Sequence, residues 1–180
     1  MPKRNYAYDE IGRFYKYYMT MEFPAVFSKL KLEGRVVIAG IGNILKADDA
    51  FGPKLIEMLD SKINAVCIDA ATAPENYIGK IAGYRPDTIL IADAVFLGKE
   101  SGACEILEKG DILKCGFTTH DISPAMFMEF LENRTHAKIY MLGVQPENLS
   151  LGGEMSSVVK EALKKTAAFL LSTLGEDQHA

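Results

Sequence analysis

The chain has 180 residues, a length that suits one domain with a full hydrophobic core. Its hydrophobic content of 48% is too high for a disordered chain, and its longest apolar runs, roughly six to eight residues, are too short to span a bilayer. The net charge of −4 argues against nucleic acid as the main partner, because phosphate binding needs a basic face. We therefore expect a globular domain that neither inserts into a membrane nor binds nucleic acid.

The amino-terminal part differs in composition from the rest. Residues 1–33 hold five of the eight tyrosines, so we interpret them as an aromatic-rich extension. Four residues at helical spacing predict a helix around residues 8–20: Tyr8, Ile11, Tyr15 and Tyr18. Either this helix packs on the domain, or the extension is a docking arm, since tyrosine is common at interfaces.

Two features favour a cytoplasmic location. The first six residues carry charges with no apolar signal core behind them. The three cysteines, Cys67, Cys104 and Cys115, are widely spaced and form neither a zinc pair nor a disulfide pattern, so we expect reduced thiols. Cys67 and Cys104 lie inside predicted strands, where we expect them to be small apolar core residues.

From residue 34 to residue 175 the pattern is that of a single α/β domain, followed by a frayed tail at 176–180. In chain order, the predicted elements are strand 36–41, helix 53–62, strand 65–69, a short helix ending near Gly83, strand 88–92, edge strand 103–107, a helix from a Ser123 N-cap to about Asn133, strand 138–144 and helix 154–174. This alternation predicts a three-layer fold, with a mostly parallel twisted sheet between helices.

A glycine turn and a pair of acids follow the first predicted strand. Gly40 and Gly42 end the strand, and Asp48-Asp49 come shortly after. A dinucleotide fingerprint needs a third glycine where Leu45 stands, and the two carboxylates would repel a phosphate. A nucleotide site is therefore the weaker alternative to a cation or a polar substrate.

Three residues in separate segments have the chemistry of a small metal site. Asp49 follows the first strand, Asp93 ends the third, and His120 lies in a loop before a helix, so fold logic places them at the carboxyl edge of the sheet. Two carboxylates and an imidazole suit a borderline divalent ion such as nickel or zinc. For Asp48 the position before a helix favours an N-cap role. No serine or cysteine has a nucleophile-elbow context, which disfavours a covalent hydrolase.

At these residues the chain resembles the nickel–iron hydrogenase maturation endopeptidases, especially the branch that serves formate-hydrogenlyase-type hydrogenases. The resemblance covers about residues 35–172 and rests on five passages in order. They are Gly40-Ile41-Gly42-Asn43 with Asp48-Asp49 and Gly52-Pro53, Asp69 with Ala73-Pro74-Glu75-Asn76, Ile91-Ala92-Asp93-Ala94, Thr118-Thr119-His120, and Leu142-Gly143-Val144-Gln145-Pro146.

The resemblance implies the fold of these proteases, a twisted sheet between helices of the phosphorylase–hydrolase type, and an activity. Such enzymes remove a C-terminal extension from the hydrogenase large-subunit precursor after nickel insertion. The resemblance implies that Asp49, Asp93 and His120 are the nickel-binding and catalytic residues of an aspartic-type site, and that the nickel is delivered by the precursor's cysteines rather than resident. We expect substrate contacts at Gly42, Asn43 and Asp48, and no other cofactor.

These motifs also suit a second class of protein. A maturation factor that binds nickel and the precursor without cutting would carry the same motifs. The oligomeric state and the particular hydrogenase are not indicated by any pattern in the chain.

Overall fold

The computed structural model describes residues 23–112 and 124–175. The helix predicted over residues 8–20, the Ser123 cap, His120 and the tail 176–180 lie outside the described residues. The division of the chain into an extension and a domain therefore stays a prediction. Within the described ranges, no helix is long and apolar enough to cross a bilayer.

The described chain alternates strands and helices as predicted. The strands are β1 (Val36–Ile41), β2 (Val66–Ala71), β3 (Thr88–Ala94), β4 (Cys104–Leu107) and β5 (Lys138–Val144). The helices are α1 (Phe23–Val26), α2 (Phe51–Leu59), α3 (Ile78–Gly83), α4 (Lys109–Ile112), α5 (Pro124–Thr135) and α6 (Ser157–Leu174). The sheet has the order β2-β1-β3-β5-β4, and only β4, at one edge, runs antiparallel to its neighbour. The predicted mostly parallel α/β fold is confirmed.

The sheet separates two hydrophobic cores, which makes three layers. One face is covered by α2 and α6 and the other by α3 and α5, as the contacts of the buried residues show. Along β1, alternate residues serve the two cores: Val36 and Ile38 face α2 and α6, whereas Val37 and Ala39 face the other pair. The strands are apolar on both sides because helices cover both sides.

Several element boundaries differ from the predicted ones, and for α2, α6 and β3 a local reason is visible. Helix α2 begins at Phe51 because a 3₁₀ turn, Ala47–Ala50, runs directly into it, and it ends before Ser61, which has a φ of 60°. Helix α6 begins at Ser157 because the Ser156 side chain accepts a hydrogen bond from the N–H of Val159. Strand β3 extends to Ala94, since its pairing with β5 continues that far.

A close backbone approach fixes α2 against the sheet. A Cβ atom at Gly40 of β1 would overlap the carbonyl of Gly52 in the first turn of α2. A Cβ atom at Gly52 would overlap the carbonyl oxygens of Ile41 in β1 and Ala92 in β3. The helix can therefore start directly on top of two neighbouring strands only because both positions are glycine.

We expect Gly52→Ala to lower the free energy of unfolding by about 3 kcal/mol, because the new methyl group meets backbone that cannot move aside. Urea unfolding followed by circular dichroism measures the effect. Gly79→Ala in α3 is the matched control: nothing lies within 4 Å of its Cβ position, so the stability should stay level or rise by up to ~1 kcal/mol. Equal midpoints for the two variants would contradict the packing argument.

Candidate active site

The site lies where the strand order of the sheet reverses direction. The chain goes from β1 to β2 on one side and then to β3 on the other, so the loops after β1 and β3 diverge and leave a crevice at the carboxyl ends. Asp49 lies in the 3₁₀ turn after β1, and Asp93 is the penultimate residue of β3. The structure thus brings these two predicted residues to one edge.

The turn that carries Asp49 is tightly folded. The backbone N–H of Asn43 donates to Oδ2 of Asp49 at 3.0 Å, and the N–H of Asp49 donates to the carbonyl of Lys46 at 2.8 Å. Gly42 has a φ of 137°, and a Cβ atom there would overlap the carbonyl oxygen of Asp49. Gly42 and Asn43 therefore position the Asp49 carboxylate. The substrate contacts expected of them stay predictions.

Both carboxyl groups hold protons more tightly than an ordinary aspartate. Loss of solvent contact raises the pKa of Asp93 well above its usual value, and the negative charge of Asp49 raises it further, against a hydrogen bond from the Ala94 backbone. Loss of solvent contact also raises the pKa of Asp49, opposed by the Asn43 N–H and by Lys46. The two groups therefore lie within electrostatic reach of each other in a poorly solvated crevice.

Asp48, the neighbour of Asp49, is wholly buried. Its carboxylate accepts hydrogen bonds from the backbone N–H groups of Glu147 (2.8 Å) and Asn148 (2.9 Å). It also accepts from Ser156 twice, from the N–H at 2.6 Å and from the hydroxyl at 3.0 Å. Asp48 thus ties the turn after β1 to the loop before α6. The helix N-cap expected of Asp48 is wrong, because its oxygens accept from the loop before α6 and from Ser156 instead. The substrate contact expected of Asp48 stays a prediction.

Gln145 makes a second tie that the sequence reasoning did not assign. Its buried side chain follows β5, and its Oε1 accepts from the N–H of Leu97 at 2.7 Å and of Lys99 at 3.4 Å. This joins the loop after β5 to the loop after β3. A polar residue directly after a buried strand was the available signal, the same one that identified Asp93.

The backbone around the glycine turn argues against the nucleotide alternative. A phosphate needs free N–H groups at the turn and at the start of the helix. Here the N–H of Gly42 donates to Ala71, that of Asp48 to Asn148, and that of Phe51 to Asp48. These N–H groups are used inside the protein, so the turn holds carboxylates in place rather than a phosphate.

The two cysteines with described positions lie in strands β2 and β4, as expected, and both thiols are free. Burial raises the pKa of Cys67 to about 11 and of Cys104 to about 12. Such thiols stay protonated at neutral pH and are poor nucleophiles. This agrees with the expectation that these cysteines fill space in the core.

Among the described residues, no group of three or more His, Cys, Asp and Glu side chains is arranged to hold a metal ion. Asp49 and Asp93 offer two carboxylates at this edge, and His120 lies outside the described residues. An ion at this edge would therefore need further ligands, either from His120 or from a bound molecule. The chemistry fits a cation, since a positive charge favours the ionised form of both carboxyl groups.

The fold and the carboxylate pair define a class: a three-layer α/β protein with two poorly solvated acids at the switch point of its sheet. The family model of hydrogenase maturation proteases, named HycI, matches residues 51–173. The hydrogenase 3 maturation protease of Escherichia coli K12 is 32% identical over 131 residues, which cover 71% of this chain and 83% of that protein.

Solved structures agree. The NiFe hydrogenase maturation protease HycI of Thermococcus kodakarensis KOD1 superposes with a TM-score of 0.73 at 31% identity, covering 82% of this chain and 95% of that one. A crystal structure of the hydrogenase 3 maturation protease gives 0.71 at 29% identity, covering 83% and 97%. The chain belongs to the hydrogenase maturation protease family, so the family and the endopeptidase class expected from the sequence are confirmed.

Asp48→Asn should lower the free energy of unfolding by about 3 kcal/mol, because an amide group replaces an acceptor that four donors share. Guanidinium unfolding at pH 7 measures the loss. Asp49→Asn, the same substitution one residue later, is the control, and it should not destabilise the fold because the pKa of Asp49 is raised. A stable Asp48→Asn variant would show that the tie is dispensable.

Asp93→Asn should stabilise the fold at neutral pH and not at low pH. Since the folded-state pKa of Asp93 is above its ordinary value of 3.8, the native chain loses stability relative to the variant as the pH rises above about 4, and the difference levels off beyond the folded pKa. Urea unfolding of both proteins between pH 3 and pH 8 tests this. A difference that stays constant with pH would rule out a poorly solvated charge at Asp93.

Proposed function

We propose that this chain is the endopeptidase that removes the C-terminal extension from the large-subunit precursor of a nickel–iron hydrogenase, and that it does so after nickel has been inserted. The observation that carries the proposal is the placement of Asp49 and Asp93, two poorly solvated carboxyl groups, at the switch point of a fold shared with named hydrogenase maturation proteases.

The two carboxylates are proposed to recognise nickel that the precursor carries. Their mutual repulsion and loss of solvation make a divalent cation a favourable guest, because its charge offsets both costs. The described residues supply only two oxygen ligands, so this site suits an ion that arrives with part of its coordination already filled. His120 is the proposed third ligand from this chain.

The same groups have the acid–base character that peptide hydrolysis needs. A carboxyl group whose pKa lies above its ordinary value is a stronger base when ionised and holds a proton closer to neutral pH. Asp93 is the better placed of the two for this role, because its pKa is raised both by lost solvation and by the charge of Asp49. The tight turn at Gly42 and Asn43 holds Asp49 in place beside it.

The test is a gel-shift assay on the extended large subunit of the host's hydrogenase, prepared with and without nickel. We expect the native chain to cut only the nickel-loaded form. Asp49→Asn, Asp93→Asn and His120→Ala should each lower the cleavage rate at least ~100-fold, the typical contribution of one acid–base group.

The matched control is Asp60→Asn, at an exposed position just after α2 and away from the crevice, which should cut at the native rate. Cleavage of both precursor forms would support the protease activity and contradict its dependence on inserted nickel. Full cleavage by all three site variants would refute the proposed site. Binding of the loaded precursor without cleavage would instead favour the maturation-factor alternative.

A further inference from the structure

The most exposed large apolar side chains of the described residues share one edge of the molecule. They lie in the loops after β1, β3 and β5: Ile44 at 63% exposed, Leu45 at 62%, Phe96 at 66% and Leu151 at 74%. The next most exposed, Met126, is at 48%. We call these four residues the apolar rim. They follow the same strands that carry Asp49 and Asp93, so the rim and the carboxylates lie at the same edge of the sheet.

The backbone beneath two loops of the rim is held by hydrogen bonds. The N–H of Leu45 donates to Oδ1 of Asn43 at 2.9 Å. The carbonyl of Leu45 accepts from the N–H of Gly152 at 2.7 Å, which places Leu45 and Leu151 on adjoining loops. The buried carboxylate of Asp48 ties the same two loops together. These side chains are exposed, but the backbone that carries them is fixed.

Phe96 is supported in the same way. It lies three residues after Asp93, between Val95, whose N–H donates to the carbonyl of Val144 at 2.8 Å, and Leu97, whose N–H donates to Gln145 at 2.7 Å. The backbone on both sides of the aromatic ring is thus bonded to the end of β5 and the residue after it. An exposed phenylalanine on such a segment presents its apolar surface on backbone that is already ordered, which lowers the ordering cost of binding.

We propose that the apolar rim is the docking surface for an apolar segment of the folded precursor next to the bond that is cut. This inference rests on the proposed function and deepens it. Single exposed apolar residues are ordinary on protein surfaces, whereas several grouped on rigid loops around a site mark an interaction surface. The rim side chains carry no charge, so a partner segment that matches them is apolar as well.

The position of the rim selects the precursor over a second copy of this chain. A copy bound there would cover the crevice that holds Asp49 and Asp93 and would close it to the substrate. The precursor has to approach this edge for its peptide bond to reach the carboxylates. The carboxylates recognise charge and the ion, which any nickel-loaded precursor offers. Among the described residues, the rim is a feature of this edge able to tell one precursor from another.

The test measures cleavage of the nickel-loaded, extended large subunit as a function of its concentration. Leu45→Gln and Phe96→Ser should each raise KM about tenfold and leave kcat within twofold, since each removes one apolar contact made equally before and during the reaction. The control is Tyr84→Ser, a residue 40% exposed that precedes β3 and so lies at the opposite edge of the sheet. Its KM should not change, and thermal unfolding should be alike in all variants.

If KM is unchanged in both rim variants, the docking inference is wrong. Cleavage of the precursor by the native chain would still support the proposed function. A fall in kcat with KM unchanged would also overturn it, because docking would then not be what the rim provides. A dimer of the native chain that the rim substitutions dissociate, with KM unaffected, would assign the rim to self-association instead. If the native chain fails to cut, the proposed function fails separately, and tenfold weaker binding of the same precursor by the rim variants still supports the docking surface.

Discussion

The close approach of Gly40 and Gly52 is the constraint on which the rest of the site depends. Two glycines let the first turn of α2 lie directly on β1 and β3, and the turn that carries Asp49 runs straight into that helix. Asp49 is thereby brought to the strand that carries Asp93 as its penultimate residue. Any side chain at either glycine would push the helix outward and separate the two carboxylates.

Two buried polar side chains then organise the loops beyond the sheet. Asp48 joins the loops after β1 and β5, and Gln145 joins the loops after β5 and β3. The side-chain oxygens of both accept hydrogen bonds from backbone N–H groups of the neighbouring loops, so these buried groups fix the loop geometry. A site made of loops gains rigidity in this way, which matters because a carboxylate displaced by about 1 Å loses much of its effect on a reaction.

The adjacent residues Asp48 and Asp49 have opposite effects on the stability of the fold. Asp48 is surrounded by donors and stabilises the fold, whereas Asp49 has few donors and carries a raised pKa. Asp93 is in the same position as Asp49. The charges of Asp49 and Asp93, the two groups proposed to meet the substrate, thus destabilise the fold, whereas the hydrogen-bonded carboxylate of Asp48 stabilises it. Unfavourable charges of this kind are typical of functional sites.

The sequence by itself determined the fold class, the parallel strands, the edge position of β4 and the two carboxylates at the carboxyl edge, because apolar periodicity and strand ends are local properties of the chain. Only the tertiary structure decided the role of Asp48, since its four donors come from residues about 100 positions away. The same holds for Gln145, for the glycine pair that seats α2, and for the apolar rim. Gln145 and the apolar rim depend on loops that are distant in the chain and become neighbours only when β1, β3 and β5 lie side by side, and the glycine pair depends on the packing of α2 against β1 and β3.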